Sequence, residues 1–302
     1  MTAKKQRFKR PTLLSNTRPP LIKKNAKPPP SLSSKATRNL IRTHHQLLKE
    51  RERALAAGNS DLVKSIDAQI EANGGLESYQ LASKTGQSVE RGGDSSTVLI
   101  DWIHPILTQL RGSSCKLRVL EVGALSTKNA CSKDRSLDVT RIDLHSQEPG
   151  ILQQDFMERP LPTSDDERFH LISLSLVLNY VPTAAGRGNM LKRCTAFLTK
   201  VLPPDCPLPE FAPCLFLVLP AACITNSRYL TQQRLQDIMT SLGFSLIKDK
   251  VTAKLVYQLW EYDCSSSHGH KRFRKEMLNP GKSRNNFAIT IDDTMPTMGT
   301  NR

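Results

Sequence analysis

The chain has 302 residues, 43 of them Lys or Arg and 28 Asp or Glu, which gives a formal net charge of +15. This length leaves room for a buried core large enough for an enzyme. No apolar run approaches the roughly 20 residues of a membrane-spanning helix, and the basic amino terminus lacks the apolar stretch of a secretory signal, so we expect an intracellular protein with no membrane partner. The seven cysteines include no Cys-x-x-Cys pair, which argues against a disulfide framework and a zinc module and predicts free thiols and no metal site.

The excess positive charge lies at the two ends of the chain. Residues 1–49 contain 13 Lys or Arg and no acid, and residues 265–302 contain 7 basic and 3 acidic residues. The stretch between them, residues 50–264, is nearly neutral, with 23 basic and 25 acidic residues. Basic terminal segments that flank a nearly neutral central region indicate a polyanionic partner such as a nucleic acid.

The first predicted elements are a tail and a helical hairpin. Residues 1–36 are basic, rich in proline and poor in apolar residues, a composition that predicts disorder. Apolar residues then recur every three or four positions from Leu40 to Leu55 and from Leu62 to Ile70, which predicts two amphipathic helices, with Ser60 as the second N-cap. We interpret the hairpin and the loop after it, residues 37–96, either as a cap or RNA-contacting arm, or as a packing element for the main domain.

A polar, glycine-rich loop over residues 86–96 precedes the main domain. Asp94, Ser95 and Ser96 suit the start of a helix near Thr97. Arg91 carries a guanidinium, which can hold a carboxylate through two parallel hydrogen bonds. The loop is therefore either a simple connection or part of a binding site.

Helical and strand patterns alternate from residue 97 to residue 263. The strand candidates are short apolar runs at residues 117–122, 139–144, 151–156, 171–178 and 215–219. This alternation predicts a doubly wound α/β fold, a mostly parallel sheet covered on both faces. A helix capped by Thr231 and ended by Gly243 follows, and then two strands on either side of Lys248-Asp249-Lys250.

Ligands of such a sheet bind beyond the carboxyl ends of its strands, where this sequence places four candidate residues. Gly123 closes the first strand, and a glycine there lets the backbone approach a ligand. Asp143, at the end of the second strand, suits the two hydroxyls of a ribose. Asp155 can accept a hydrogen bond from an adenine amino group, and Phe156 can pack on the base. Together they predict a site for an adenosine-containing cofactor.

NAD and S-adenosylmethionine are the two cofactors considered for this site. NAD requires the Gly-x-Gly-x-x-Gly turn that accommodates a pyrophosphate, whereas Gly123 is followed by Ala124-Leu125-Ser126-Thr127-Lys128. S-adenosylmethionine has no pyrophosphate and is favoured. A parallel sheet closed by a helix and a terminal hairpin resembles the Rossmann-like class I S-adenosylmethionine-dependent methyltransferases, over roughly residues 97–262 of this chain.

A closer resemblance rests on three blocks: GGLESYQLAS with GQSVERGGDSS (residues 74–96), LRVLEVGALS (residues 117–126) and KRFRKEMLNPGKSRNNFAI (residues 271–289). Together they resemble the fungal nucleolar methyltransferases that methylate N1 of an adenine in large-subunit (25S) ribosomal RNA. The resemblance implies S-adenosylmethionine binding at Gly123 and Asp143, 25S rRNA or a pre-60S particle as partner, and localisation to the nucleolus of the nucleus. The family has animal relatives that sense S-adenosylmethionine, so a non-catalytic sensor acting through a protein partner is the alternative, which the basic tails disfavour.

Asn179 and Tyr180 are the catalytic candidates. They follow the fourth strand, where adenine-handling methyltransferases keep an Asn/Asp-Pro-Pro-aromatic loop that Asn179-Tyr180-Val181-Pro182 loosely resembles. The Asn179 carbonyl would accept from the adenine N6 amino group, and Tyr180 would stack on a base freed from pairing. Methyl transfer to N1 needs in-line positioning more than a strong base. The alternative is a strand-ending turn, with Tyr180 packed under a helix.

The predicted C-terminal tail, residues 264–302, alternates basic and aromatic residues between His270 and Phe287. This pattern suits phosphates and unstacked bases. Alternatively, Phe287, Ile289 and Ile291 dock on the domain while the cations only keep the segment soluble. We expect a monomer.

Overall fold

A computed structural model describes residues 33–75, 78, 81–82, 93–146, 148–208, 210–263 and 271–292. Most of the predicted N-terminal tail, Arg91 and the ends of the predicted C-terminal tail lie outside the described residues. Within these ranges, no helix combines the length and the apolar character needed to cross a membrane.

The helices are α1 (Ser34–Ala56), α2 (Ser60–Ala72), α3 (Ser96–Leu110), α4 (Ala130–Lys133), α5 (Ala184–Phe197), α6 (Ala222–Thr225) and α7 (Gln232–Ser241) in the part of the chain that the structure describes. The strands there are β1 (Leu117–Val122), β2 (Leu137–Asp143), β3 (Leu152–Gln153), β4 (Leu171–Ser175), β5 (Cys214–Pro220), β6 (Phe244–Val251) and β7 (Leu255–Tyr262).

All the strands named above belong to one sheet, in the order β3-β2-β1-β4-β5-β7-β6. The pairs from β3 to β5 are parallel, whereas β7 runs antiparallel to both β5 and β6. This arrangement confirms the predicted Rossmann-like class I methyltransferase fold with a terminal antiparallel hairpin. Because β1, β2 and β4 are adjacent and parallel, the loops that follow them meet at one edge of the sheet.

The sheet buries apolar side chains on both faces. Alternate residues of β1 point to opposite sides, so Leu120 and Val122 join one core cluster while Leu117 and Val119 join the other. Helix α5 contributes to the first cluster and helix α3 to the second. The α1–α2 hairpin has a small cluster of its own, formed by Leu47, Ala54 and Ile66.

Local boundaries differ from the predicted ones at three places. Lys248-Asp249-Lys250, predicted as a turn, lies inside β6, because an outer strand can expose charged side chains to water. The third predicted strand is reduced to the two residues of β3. The second helix is capped by Asn59 rather than Ser60, since the Asn59 side chain accepts a hydrogen bond from the Leu62 backbone N–H at 3.0 Å.

Two of the cysteines predicted to be free thiols are paired. Cys115 and Cys206 form a disulfide, with their Cα atoms 5.2 Å apart and a sequence separation of 91. Cys115 precedes β1 and Cys206 precedes β5, and parallel strands place both at the amino edge of the sheet. No local spacing motif signals such a pairing. Four other described cysteines, Cys131, Cys194, Cys214 and Cys223, are free.

A buried histidine at the start of β4 makes the stability of the fold depend on pH. His170 is fully buried; its Nδ1 accepts from the Arg118 backbone N–H at 2.8 Å, so Nε2 carries the proton and donates to the Val201 carbonyl at 2.9 Å. Burial is the main cause that lowers the pKa of His170. The folded state therefore favours the neutral imidazole, and stability present above pH 6.5 is lost as the pH falls below it.

We expect the free energy of unfolding to fall as the pH is lowered from 6.5 to 5.5, because the unfolded chain takes up a proton on this histidine and the folded protein resists it. Urea unfolding at a series of pH values measures the loss. His170→Gln should reduce the slope of stability against pH in this range, while His44 and His45, whose pKa values burial also lowers, keep their own share of it. His104→Gln, at an exposed position of α3, is the matched control. An unchanged slope in His170→Gln would contradict this account.

Candidate active site at the carboxyl edge of the sheet

The turns after β1 and β2 lie side by side. The backbone N–H groups of Gly123 and Ala124 both donate to the Ile142 carbonyl, at 2.8 and 3.1 Å. Asp143 is the last residue of β2, and its Oδ1 accepts from the His145 backbone N–H at 2.8 Å. The structure thus brings the two predicted cofactor residues Gly123 and Asp143 together at the carboxyl edge.

The other two predicted cofactor residues, Asp155 and Phe156, separate into different environments. Asp155 is half-buried, and its Oδ1 accepts from the Met157 backbone N–H at 2.7 Å. The Phe156 side chain is only 2% exposed and lies in the core, with its ring centroid 5.4 Å from that of Phe197. The prediction that Phe156 packs on the cofactor base is therefore wrong, because its ring is used inside the protein. Asp155 as a partner of an adenine amino group stays a prediction.

The loop after β4, residues 176–182, carries both catalytic candidates and will be called the β4 loop. It begins with Leu176 at φ 59°, a left-handed backbone conformation that is rare outside glycine and concentrated at functional sites. The Tyr180 backbone N–H donates to the Val177 carbonyl at 2.9 Å, which closes the turn. The Asn179 Oδ1 atom is buried, and no described residue gives it a hydrogen bond.

Helix α1 covers this loop. The His45 ring stacks on the Tyr180 ring, with centroids 4.2 Å apart and an angle of 30° between the planes. Tyr180 is therefore packed under a helix, which was the alternative interpretation of this residue. Burial is the main cause that lowers the pKa of His45 to about 3, so its imidazole is neutral at physiological pH. The nearby His145, which follows β2, helps burial to lower the pKa of His44.

Two cations interact with each other in this region, and one of them contacts the β4 loop. Arg187 of α5 is 3% exposed and donates to the Ala288 carbonyl at 2.7 Å and to the Pro182 carbonyl at 3.2 Å. Burial lowers its pKa to about 10. Lys49 lies one helical turn after His45, and burial together with the charge of Arg187 lowers the pKa of Lys49. No local sequence signal marks His45, Lys49 or Arg187, because only the tertiary fold brings these residues into one region.

A family model described as 25S rRNA (adenine(2142)-N(1))-methyltransferase, Bmt2, matches residues 64–289 of this chain. The chain belongs to the Bmt2 family. It is 41% identical over 253 residues to the 25S rRNA adenine-N(1) methyltransferase of Schizosaccharomyces pombe, an alignment that covers 83% of this chain and 89% of the relative. It is 38% identical over 231 residues to the 25S rRNA (adenine(2142)-N(1))-methyltransferase of Saccharomyces cerevisiae, covering 76% of this chain and 64% of the relative.

Solved structures with a similar chain trace are more distant than these Bmt2-family relatives. The N-methyltransferase NodS from Bradyrhizobium japonicum, in complex with S-adenosyl-L-homocysteine, has 14% identity and a TM-score of 0.33, over 54% of this chain and 86% of its own. The pyocyanin biosynthetic protein PhzM has 12% identity and a TM-score of 0.39, over 77% of this chain and 74% of its own. At this similarity neither protein bears on the function of the chain.

The cofactor of this Bmt2-family chain is S-adenosylmethionine, and the turn after β1 fits a bound ligand of this kind. Gly123 has φ +74°, a left-handed conformation that favours glycine. Because glycine has no side chain, the backbone of the β1 turn comes close to the β4 loop here. A Cβ atom at this position would lie 2.6 Å from Val177 Cγ2 and fill the gap between them. Asp143, beside the turn, carries carboxylate oxygens that can accept from ribose hydroxyls. When bound, the cofactor supplies an activated methyl group on a sulfonium.

We expect Gly123→Ala to weaken S-adenosylmethionine binding at least tenfold. An alanine strains the left-handed turn by about 1–2 kcal/mol and pushes Val177 and the β4 loop away. Isothermal titration calorimetry measures the binding, and urea unfolding measures the change in stability. The double variant Gly123→Ala/Val177→Ala should recover part of the affinity, with Val177→Ala alone as control, because the clash is relieved while the strain remains. Equal affinities for the wild type and Gly123→Ala would contradict a close-packed turn.

In this Bmt2-family chain, residues 271–292 form a docked C-terminal segment. Four of its large apolar side chains, Phe273, Phe287, Ile289 and Ile291, are buried in the main core cluster. The Thr290 backbone N–H donates to the Ala184 carbonyl at 3.1 Å, so the segment passes the start of α5, next to the β4 loop. Its exposed cations are Lys271, Arg272, Arg274, Lys275 and Lys282. Docking therefore holds these positive charges on the surface of the main domain, in the same segment that passes the start of α5.

Proposed function

We propose that this chain methylates N1 of an adenine in 25S rRNA, with S-adenosylmethionine as the methyl donor. One observation carries the proposal: the β4 loop, with Asn179 and Tyr180, lies at the same edge of the sheet as Gly123 and Asp143, which follow or end β1 and β2. An amide acceptor and an aromatic ring suit an adenine, and the adjacent turn suits the adenosine of the cofactor. The activities for which the two fungal relatives are named support the same substrate.

In this proposal the chain holds and orients its two ligands. Asn179 Oδ1 accepts from the adenine N6 amino group, which points N1 of the ring toward the Gly123 turn, and Tyr180 stacks on the base. Asp143 and Asp155 hold the ribose and the adenine of the cofactor. Adenine N1 is a neutral lone pair, so alignment of N1 with the methyl group contributes more to the rate than proton removal does.

Primer extension on 25S rRNA tests the proposal, because a methyl group on N1 blocks base pairing and stops reverse transcriptase. RNA from cells that lack the protein should lose one stop, and the gene should restore it. Purified protein should create the same stop on an unmodified transcript when S-adenosylmethionine is added. A stop that persists in the deletion strain would refute the proposal, and S-adenosylmethionine binding without transfer to any RNA would favour the sensor alternative.

The exposed cations of the C-terminal segment are proposed to bind the rRNA backbone. We expect Arg274→Glu/Lys275→Glu/Lys282→Glu to weaken RNA binding and to make the slope of log K against log salt less steep, by almost one unit for each lost phosphate contact. Fluorescence anisotropy at several salt concentrations measures both. Lys248→Glu/Lys250→Glu/Lys254→Glu, at or beside the outer strand β6, is the control with equal charge. If both triple variants lose affinity equally, the segment has no specific role.

Association with a pre-60S particle, a monomeric state and nucleolar localisation are further parts of the proposal. The basic charge concentrated at the ends of the chain supports a particle rich in rRNA as the partner. Fluorescence microscopy of a tagged chain with a nucleolar marker tests the location. Co-sedimentation with pre-60S particles tests the partner, and light scattering of the purified protein tests the oligomeric state.

A further inference from the structure

The contact between helix α1 and the β4 loop combines three features that a structural packing contact has no need to combine. The first is the ring stack. His45 lies on Tyr180 with 4.2 Å between centroids and 30° between planes, the arrangement in which an aromatic side chain carries a nucleobase. An imidazole is also the five-membered half of a purine, so His45 presents a neutral, planar ring of related shape to Tyr180.

The second feature is an unused hydrogen-bond acceptor beside the stack. Asn179 precedes Tyr180, and its Oδ1 atom is buried while no described residue donates to it. A buried amide oxygen without a donor costs about 1–3 kcal/mol. The exocyclic amino group of an adenine on Tyr180 is a donor of the kind that this oxygen lacks.

The third feature is a pair of cations. Lys49 lies on the same face of α1 as His45, one turn later, and Arg187 donates to the carbonyl of Pro182 at the end of the β4 loop. Each of the two is desolvated, and the charge of Arg187 acts on Lys49. Neither forms an ion pair with a described residue. A phosphate would supply the negative charge that is missing there.

The three features together match the parts of one adenine nucleotide. They call for a ring on Tyr180, a hydrogen-bond donor for Asn179 and an anion near Lys49 and Arg187. We infer that α1 closes the site of the target nucleotide, with His45 on Tyr180 in the place of the target adenine, and that the nucleotide enters by displacing His45 and places its phosphate against Lys49, near the charge of the buried Arg187. This inference rests on the proposed function and adds the residues that occupy and recognise the substrate site.

The packing of the hairpin allows this displacement. The apolar contacts between α1 and α2 form a cluster separate from the two clusters of the sheet. Arg51 and Asp67, joined at 2.7 Å, link the two helices to each other. The hairpin can therefore move as a unit and keep its own contacts. Because closed molecules cannot bind the nucleotide, the apparent affinity falls in proportion to the closed fraction.

Substitution of His45 tests the inference through RNA affinity. His45→Ala should bind a single-stranded RNA with the target adenine, and adenosine 5′-monophosphate, about tenfold more tightly than the wild type, since the competing stack is lost. His45→Leu keeps an apolar side chain on the helix but no ring, and should show the same gain if the alanine variant is poorly folded. His45→Phe retains a ring and should show none. His104→Ala, an exposed histidine of α3, is the matched control.

Fluorescence anisotropy for the RNA and equilibrium dialysis for the mononucleotide give the two affinities. Unchanged or weaker binding by His45→Ala and His45→Leu would overturn the inference. His45 would then line the site beside the nucleotide or serve only in packing, and would not occupy the position of the adenine. In the background of Tyr180→Ala, the gain should disappear. The two failures are distinguishable: the proposed function fails if the 25S rRNA stop persists in the deletion strain, whereas this inference fails if the His45 variants show no gain in affinity.

Discussion

Gly188→Ala is expected to detach the C-terminal segment from helix α5. The added Cβ would overlap the Thr290 carbonyl oxygen and lie 2.9 Å from Ile291 Cδ1, and a backbone carbonyl held in a docked segment cannot turn aside as a flexible side chain can. Loss of docking exposes Phe287, Ile289 and Ile291, each of which contributes about 1.5–3 kcal/mol when fully buried. We therefore expect a loss of several kcal/mol in the free energy of unfolding, or a protein whose segment is released while the sheet remains folded.

Limited proteolysis with mass spectrometry distinguishes these outcomes, because a released segment is cleaved between residues 271 and 292 while the rest of the chain persists. RNA affinity should fall in parallel, since the cations of the segment would no longer be held against the main domain. Asn189→Ala, at the next and exposed position of α5, is the matched control. Wild-type stability and proteolysis in Gly188→Ala would show that the segment packs differently from this description.

Tyr180→Ala is expected to lower kcat/KM for rRNA methylation by one to two orders of magnitude, because stacking of a base on an aromatic side chain contributes about 1–3 kcal/mol. Tyr180→Phe keeps the ring and should retain most of the activity. Binding of S-adenosylmethionine should change little in either variant, which calorimetry measures. Full activity in Tyr180→Ala would remove the stacking role from the proposed mechanism.

Asn179→Ala provides the companion measurement. It removes the proposed acceptor for the N6 amino group and should lower methylation without lowering the affinity for S-adenosylmethionine. Single-turnover rates separate a loss in positioning from a loss in binding, because only the former slows the step after the RNA is bound. Unchanged methylation together with unchanged RNA affinity would eliminate this role of Asn179.

The order of elements in the main domain could be predicted because apolar periodicity and turn residues are local signals. The ends of β1 and β2, at Val122 and Asp143, follow from apolar runs that stop at a glycine or a charged residue. Gly123 was placed correctly at a turn by the same signal, although sequence alone could not show that its missing side chain accommodates Val177. The ends of β1 and β2 and the turn at Gly123 are therefore determined by residues close to them in sequence.

The errors concern residues whose environment is set by distant parts of the chain. Phe156 follows an acid beyond a strand end, as a cofactor-binding aromatic would, but its ring meets Phe197 of α5 and enters the core. Cys115 and Cys206 meet only because β1 and β5 start at the same edge. The contact of His45 with Tyr180 spans more than 130 residues, and nothing in either local sequence signals it. Periodicity predicts the face that a helix buries, whereas its partner depends on the tertiary fold.

The docked segment also affects the order in which the site can form during synthesis. Every strand of the sheet is complete once Tyr262 has been made, yet Arg187 obtains one of its two carbonyl partners from Ala288. A nascent chain can therefore form its whole sheet while Arg187, beside the β4 loop, still lacks its hydrogen bond to the Ala288 carbonyl. The last step of maturation would be the closing of residues 271–292 over α5, and a chain that ends after β7 would lack the Ala288 carbonyl that Arg187 needs.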